Sequence, residues 1–285
     1  MMPELSARPM TTVGNPSTSL TTLFKTLWRS RQLIALMTRR EAMARYKGSI
    51  FGIAWSLVTP ILMMIVYTFV FSVVFKSKWE GGGSNSKTQF AVLLFTGMIV
   101  HGLFAEIFNK APGIILGNVN YVKRVVFPIE ILSIISAGSA LFSAFINVLV
   151  LSSAFYIFNG YIPWTAPLVV LVLGPLVIGC IGMSWILSAA GVFLRDISQS
   201  VGIFTTIMTF ISPVFFPVSA IPAQFQAIVK LNPLTFIIEQ SRNVLIWGVA
   251  PDWTVLGTYY LGAILLSATG YIWFQKARKG FADVL

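Results

Sequence analysis

The sequence predicts an all-α integral membrane protein with six transmembrane helices, and three observations support this prediction. Hydrophobic residues make up 56% of the 285 residues, whereas charged residues make up only 10%. The apolar residues form blocks of about twenty, the length that a helix needs to cross a hydrocarbon core of ~30 Å. A water-soluble domain needs many more surface charges and a helical or strand-like apolar period instead of long runs. The chain is therefore expected to fold in a bilayer.

Six apolar segments are the predicted spans of one transmembrane domain over residues 19–285. The first contains no charged residue and would measure about 39 Å as a helix. The fifth is interrupted by Pro213 and Pro217. A disordered N-terminus is predicted at residues 1–18. The spans are residues 50–75, 90–108, 131–158, 167–194, 201–217 and 254–274.

The Lys and Arg residues predict the orientation. With the N-terminus inside, the cytoplasmic connections hold fifteen of them and the external connections five. This asymmetry sets topology, so both termini are predicted to lie in the cytoplasm. The membrane is predicted to be the inner, cytoplasmic membrane. The net charge of +11 is thereby explained without nucleic acid. No cleavable signal peptide is evident in the first twenty residues, so the first span is expected to direct insertion.

Residues 19–47 mix regularly spaced apolar side chains with seven basic residues before the first span. This spacing predicts an amphipathic helix at the cytoplasmic surface of the membrane, in contact with lipid. An ordinary basic flank accounts for the charges but not for the apolar spacing.

Two connections are predicted on the external side. Residues 76–89 contain GGGSNS and indicate a flexible loop. Residues 212–252 hold two short apolar pieces separated by prolines, a pattern typical of re-entrant structure buried in protein or facing water. Glu239 and Arg242 lie three apart and can pair on one helical face. A surface loop with two interfacial helices remains the alternative.

The sequence offers no catalytic or cofactor-binding constellation. It contains no G-x-x-x-x-G-K-[ST] phosphate-binding loop, and one histidine with one cysteine cannot form a zinc centre. Cys180 is expected to be a packed core thiol. Among the spans, only His101 and Glu106 are ionisable candidates. A neutral His101 bonded to a neighbouring helix is favoured over a proton relay, and the shortage of carboxylates argues against ion coupling.

Four motifs in order along the chain resemble the membrane subunits of polysaccharide ABC exporters, the O-antigen, capsule and teichoic-acid group of the type-2 family. They are RYKGS at residues 45–49 with Gly52, Trp55 and Pro60; NVNYVKRVVFPIEIL at 118–132; FLRDI at 193–197; and SPVFFP at 212–217 with NPLT at 232–235. The resemblance runs from about residue 23 to the C-terminus. It implies a homodimer that carries no cofactor and partners a cytoplasmic ATPase, which binds ATP and Mg²⁺.

The resemblance also implies roles for particular residues. The stretch 110–126 would hold a coupling helix that docks on the ATPase through Tyr121, Lys123 and Arg124, and Arg195 with Asp196 would form a second contact or a local cap. Arg45, Tyr46, Lys47 and Gly48 would form a cytoplasmic gate, with Gly48 and Gly52 permitting close helix approach. The external re-entrant region would include Pro213, Pro217, Asn232, Pro233, Glu239 and Arg242.

In this family, spans one and five line a channel with aromatic side chains, whose faces suit the C–H faces of sugar rings. The corresponding aromatic residues here are Trp55, Tyr67, Phe71, Phe75, Phe204, Phe210, Phe215 and Phe216. The expected function is export of a lipid-linked polysaccharide, foremost O-antigen. Open alternatives are another cargo for the same fold, such as teichoic acid, capsule, lipid or drug, and an ion-coupled transporter or a membrane enzyme.

Overall fold

The computed structural model describes residues 18–70, 86–122 and 127–284, and every regular element in these ranges is helical. The all-α prediction is therefore confirmed. Residues 1–17 of the predicted N-terminal tail lie outside the described residues. So do residues 76–85 of the predicted loop, whereas residues 86–89 are helical, so the end of the loop at residue 89 was wrong. The α-helices are α1 (Leu20–Arg29), α2 (Arg31–Ala44), α3 (Trp55–Tyr67), α4 (Ser86–Lys110), α5 (Val119–Val122), α6 (Ile131–Asn159), α7 (Val169–Phe193), α8 (Ile197–Ile211), α9 (Ala223–Leu231), α10 (Pro233–Arg242), α11 (Trp253–Ala277) and α12 (Phe281–Val284).

Five of the described helical segments are long and apolar enough to cross a membrane. They are Gly52–Val70, Gln89–Gly113, Ile131–Asn159, Ala166–Phe193 and Trp253–Gly280. They coincide with predicted spans one, two, three, four and six. The chain is thus a multi-pass membrane protein.

The predicted fifth span is shorter than expected. Helix α8 ends at Ile211 after 15 residues, about 22 Å at 1.5 Å per residue. The helix stops because Ser212 precedes a proline and adopts an extended backbone, with φ −79° and ψ 149°, as residues before proline prefer. The prediction that the fifth span continues as a helix to residue 217 was therefore wrong, because the helix ends at Ile211. The count of six spans stays a prediction.

Helices α7 and α11 pack against each other more extensively than any other described pair. Their backbones touch at two glycines: a Cβ placed on Gly270 would lie 2.2 Å from the Gly182 carbonyl oxygen, and one on Gly182 would lie 2.6 Å from Ser267 Cα. Small residues at such crossings let helices approach where lipid offers no hydrophobic driving force. Cys180 is buried in α7, as expected of a core thiol.

The N-terminal segment forms two helices, α1 and α2, which meet at Ser30. Helix α1 exposes Phe24 and Trp28 while it buries Leu23. The guanidinium of Arg31 lies 4.9 Å from the centre of the Trp28 ring, a cation–π arrangement. The predicted helical, amphipathic character is confirmed, although as two helices, and the location at the membrane surface stays a prediction.

Candidate functional site

The aromatic residues predicted to line a channel fall into three groups. Trp55 on α3 and Phe204 and Phe210 on α8 have exposed side chains. Tyr67 on α3 packs against the main hydrophobic core, and Phe215 and Phe216 are partly buried beyond the end of α8. Phe71 and Phe75 lie outside the described residues, so the predicted shared face of Tyr67, Phe71 and Phe75 stays a prediction.

Helix α3 is the least covered of the long apolar helices. Only 11% of the apolar stretch that contains it is buried, against 78% for the stretch that contains α4. Its exposed side chains include Leu57, Ile61, Met63 and Ile65. Because α8 also exposes Ile203 and Ile207, both predicted channel helices present large apolar faces that the rest of the described chain does not cover.

His101 joins α4 to α8 inside the bundle. Its Nε2 atom lies 2.9 Å from Thr209 Oγ1 and 3.2 Å from the Thr205 carbonyl oxygen. Thr205 Oγ1 in turn donates to Asn109 Oδ1 at 3.0 Å. The predicted bond between His101 and a neighbouring helix is therefore confirmed. Together these contacts fix the rotation of α8, on which the partly exposed Phe204 stacks against Phe108 of α4 and Phe210 is 67% exposed.

A charged network of Glu41, Arg45, Glu106 and Lys110 ties the N-terminal helices to the bundle. We call it the cytoplasmic ion network, after the side of the membrane on which the sequence predicts these residues. The Arg45 guanidinium pairs with the Glu106 carboxylate and donates to Ser143 Oγ at 3.0 Å. Lys110 Nζ lies 3.2 Å from Glu41 Oε1 and 3.3 Å from Glu106 Oε1. The network therefore connects α2 and the segment that follows it to α4 and α6.

The electrostatics of this network favour a charged Arg45. Burial lowers the pKa of Arg45, but the hydrogen bond to Glu106 and its negative charge raise it, so that the pKa lies above its ordinary value. Arginine is charged at any physiological pH. Arg45 therefore contributes a fixed positive charge to the contact with Glu106.

The predicted gate residues follow α2 in a series of turns. Arg45 belongs to the ion network, Tyr46 is half-buried, and Lys47 is exposed. No described atom lies within 4 Å of a Cβ at Gly48 or Gly52, so the described chain makes no close helix contact there, and the predicted close approach stays a prediction. Both instead have positive φ, 87° and 51°, a conformation that glycine adopts without strain.

The predicted coupling segment is a run of short helical turns. It comprises Ala111–Gly113, Leu116–Asn118 and α5. Tyr121 stacks on Phe127, with ring centres 4.6 Å apart, and lines a cavity of 660 Å³ beside Lys110. Lys123 and Arg124 lie outside the described residues. The ring of Tyr121 is thus held at the end of the bundle where α4 finishes and α6 begins.

Arg195 and Asp196 form the exposed turn between α7 and α8. Asp196 precedes α8, but its side chain makes no capping hydrogen bond. Its backbone carbonyl accepts from Gln199 and Ser200 at 3.1 and 3.3 Å. The local-cap interpretation was therefore wrong for the side chain, and the docking interpretation stays a prediction.

The segment after α8 is anchored at Asn232. This buried side chain accepts a hydrogen bond from the Leu234 backbone at 2.9 Å and donates to Ser212 Oγ at 2.9 Å. With Pro233 at the first helical position, the cap begins α10. Pro213 and Pro217 lie in the irregular stretch before it. Helix α10 then buries its apolar face against α4 and α7.

Arg242 is the most buried of the described cationic side chains, 4% exposed. Its Nε donates to the Leu93 carbonyl and an Nη to the Val214 carbonyl, both at 3.1 Å. Glu239 lies one turn earlier with an exposed side chain, and its pairing with Arg242 stays a prediction. Arg242 thus joins the end of α10 to α4 and to the stretch that follows α8.

We predict that Arg242→Met lowers the thermal unfolding midpoint of the purified protein. Two buried carbonyls lose a charged donor, a loss worth about 2–4 kcal/mol. Arg242→Lys should recover only part of it, because one ammonium cannot reproduce the planar fork. The control is Lys230→Met on α9, where the side chain is exposed. Equal midpoints for Arg242→Met and Lys230→Met in detergent would contradict the prediction.

One ion pair joins the C-terminal tail to the bundle and was missed from the sequence. The buried Glu130 carboxylate lies 3.2 Å from Arg278 Nη1, and Trp185 Nε1 donates to the Glu130 carbonyl at 2.9 Å. Phe281 is fully buried nearby, against Phe193 and Phe274. A sequence signal existed, since Glu130 and Arg278 lie at predicted cytoplasmic ends, but their pairing depends on how distant helices pack.

The described residues contain no group of three or more His, Cys, Asp and Glu side chains that could hold a metal ion. What the structure defines is a multi-pass, all-helical membrane protein with broken helices before its last span and short helical turns at its charged end. Residues 32–246 match the model of the ABC-2 type transporter family. The chain therefore belongs to the membrane components of the ABC-2 type transporters.

The curated relatives cover most of the chain. It is 26% identical over 255 residues to the O-antigen export system permease protein RfbA of Klebsiella pneumoniae, which is 89% of this chain and 95% of that protein. It is likewise 26% identical to RfbA of Myxococcus xanthus, over 92% of this chain and 98% of that one. The polysialic acid transport protein KpsM of Escherichia coli is 26% identical over 73% of this chain and 79% of its own length.

Proposed function

We propose that this chain is the channel-forming subunit of an ATP-driven exporter that moves a lipid-linked polysaccharide, foremost O-antigen, across the cytoplasmic membrane. Similarity to two O-antigen permeases and a polysialic acid transporter supports the polysaccharide class. Two copies would form the channel, and both termini would face the cytoplasm. Teichoic acid, capsule, lipid or drug remain alternative cargoes for the same fold.

The observation that carries the proposal is the uncovered aromatic and apolar surface of α3 and α8. Trp55, Phe204 and Phe210 stand exposed on helices whose large apolar faces have no cover in the described chain. A second copy of the chain would enclose these faces, and aromatic rings there would slide along sugar rings while hydroxyls stay hydrated. A proton- or ion-driven mechanism finds little support, because His101 is bound to α8.

ATP hydrolysis would belong to a separate cytoplasmic subunit. Tyr121, Lys123 and Arg124 would contact it from the connection between α4 and α6, and Arg195 with Asp196 from the next cytoplasmic turn. The cytoplasmic ion network begins at Lys110, directly before the first connection. Movement of this connection would therefore reach Arg45 and the start of α3 through three charged side chains. The broken 212–252 region would close the external end as re-entrant helices.

The channel assignment predicts that the double variant Phe204→Ala/Phe210→Ala reduces surface polysaccharide about tenfold, since each lost aromatic contact removes about 0.5–1.5 kcal/mol. Phe145→Ala is the matched control, because Phe145 is 60% exposed on α6 and Phe210 is 67% exposed on α8. Surface glycan is measured by immunoblot in cells that lack the native gene, with protein levels in the membrane fraction as reference.

The same assay separates the proposed functions. Equal export by the α8 double variant and the α6 control would contradict the channel assignment. Export that survives a Walker-A lysine substitution in the partner ATPase would contradict ATP drive. Transport of a lipid or drug without any effect on surface glycan would favour an alternative cargo.

A further inference from the structure

We infer that the external end of the protein carries a sugar-binding subsite centred on Trp247, where one residue of the emerging glycan binds. The inference rests on the proposed function, because the proposed function makes the cargo a carbohydrate. We call this place the Trp247 subsite and define it by Glu239, Gln240, Asn243 and Trp247, which line one cavity. Pro217 and Ser219 border the same cavity.

The Trp247 subsite lies at the end of the bundle opposite the cytoplasmic ion network. That network surrounds the C-terminal end of α4, whereas Trp247 shares a second cavity with Gln89 near the N-terminal end of α4 and Asn159 at the C-terminal end of α6. With the orientation predicted from the Lys and Arg distribution, this end faces outward. A glycan that leaves the channel would pass it last.

The backbone that carries Trp247 is unusual and firmly held. Asn243–Trp247 is a π-helical turn, a rare geometry that occurs frequently at functional sites. Gly248 follows with φ 68°, and Val249 N donates to the Asn243 carbonyl at 3.0 Å. Thr165 Oγ1 donates to the Val244 carbonyl at 2.7 Å from a buried position. The indole is therefore placed by a rigid turn between two segments.

The chemistry around the indole matches a pyranose ring. The cavity has a volume of 350 Å³, within the range of about 300–1,000 Å³ for small-molecule sites. An aromatic face suits the apolar C–H face of a sugar, while carboxylate and amide groups accept and donate hydrogen bonds to its hydroxyls. Gln240 Oε1 accepts from the Asp252 backbone at 3.2 Å, which fixes that amide.

A second, smaller cavity on Trp247 extends the same pattern. It measures 170 Å³ and is lined by Gln89, Asn159 and Tyr161 besides apolar side chains. Asn159 Nδ2 donates to the Phe155 carbonyl at 3.0 Å, which leaves the amide oxygen as an acceptor. Two polar cavities that share one indole suit consecutive sugars of a chain better than a single compact ligand.

Tryptophans near a membrane surface often serve only as interfacial anchors. Other tryptophans of this chain allow Trp247 to be compared with such anchors. Trp164 and Trp253 are 76% and 55% exposed and line neither cavity, whereas Trp247 is 41% exposed and lines both. An anchor needs lipid headgroups around its ring, not a carboxylate and four side-chain amides. The surroundings of Trp247 therefore distinguish it from the two anchors.

The test is binding of glycan to the full-length chain in lipid nanodiscs. The probe is the polysaccharide released by mild acid from the surface of the exporting cells, followed by saturation-transfer difference NMR. We expect the wild type to bind it and Trp247→Ala to bind it about two- to tenfold more weakly, the range for a lost aromatic contact. Trp164→Ala is the matched control and should bind as the wild type does.

Further variants keep the test decisive if Trp247→Ala does not fold. Asn243→Ala and Glu239→Gln alter the polar wall, and each should weaken binding, whereas Trp247→Phe should retain most of it. Binding that is equal in all variants overturns the subsite, as does a wild type that binds no released glycan. Surface export by the wild type is measured separately: glycan export with unchanged Trp247→Ala binding overturns only the subsite, and absent export overturns the proposed function.

Discussion

Gly270→Val is expected to abolish correct folding of the protein, because the new side chain has no space at the crossing of α7 and α11. A Cβ at Gly270 would lie 2.2 Å from the Gly182 carbonyl oxygen and 2.8 Å from its carbonyl carbon. These atoms are backbone, so no rotamer change can relieve the overlap. Overpacking a core costs about 1–3 kcal/mol even where side chains can adjust, and this contact spans the most extensive helix pair in the described chain.

The matched control is Gly257→Val on the same helix. Gly257 is exposed, and no described atom lies within 4 Å of a Cβ there. Both variants therefore lose the same glycine flexibility and gain the same apolar volume. We expect Gly257→Val to elute as a single species in detergent and Gly270→Val to aggregate or be degraded. A Gly270→Val protein with the elution profile and unfolding midpoint of the wild type would contradict the prediction, because it would show that α7 and α11 can move apart without loss of stability.

The spans were predictable because their signal is local. A run of apolar residues such as 131–158 reports its own environment, and α6 spans Ile131–Asn159. The end of α8 was predicted six residues too late, although Pro213 marked it. The apolar run continues past the proline to residue 217, and hydropathy alone does not register the loss of helical backbone at Ser212.

The candidate sites were less predictable because they depend on distant packing. Arg45 was recognised as a basic residue near the first span, but its partner Glu106 lies sixty-one residues away. Trp247 is one of eight tryptophans, and its two cavities are built by segments that only the fold brings together. The spacing of Gly48 and Gly52 is typical of helix contacts, yet it is their positive φ angles that explain why glycine stands at these two positions.

Charge reversal at Arg45 is expected to reduce export while the protein remains folded. The Arg45 side chain is 36% exposed and that of Glu106 is 20% exposed, so water partly screens the pair, and its loss should cost less stability than the loss of a fully buried pair. Its position matters more, because it joins the segment before α3 to α4 directly before the predicted coupling region. Arg45→Glu places a second carboxylate beside Glu106, so repulsion should replace the attachment.

We expect Arg45→Glu to lower surface polysaccharide about tenfold, within the range set by coupling free energies of about 1–3 kcal/mol. Glu106→Arg alone should lower surface polysaccharide similarly, because the new arginine would lie beside the positive charges of Arg45 and Lys110. The double variant Arg45→Glu/Glu106→Arg restores opposite charges and should recover a large part of export. Arg39→Glu is the control: it changes the net charge equally on α2, where Arg39 is exposed and has no ion pair among the described residues.

Membrane levels, thermal midpoint and ATPase co-purification are measured for all four variants beside surface glycan. The double variant Arg45→Glu/Glu106→Arg is the decisive comparison. If the defect were purely local to position 45, the double variant would export as poorly as either single variant. A loss in Arg39→Glu equal to that in Arg45→Glu would instead assign the effect to net charge at the cytoplasmic surface. Recovery in the double variant with a silent Arg39→Glu would establish that attachment of the segment before α3 to α4 transmits movement to the first span.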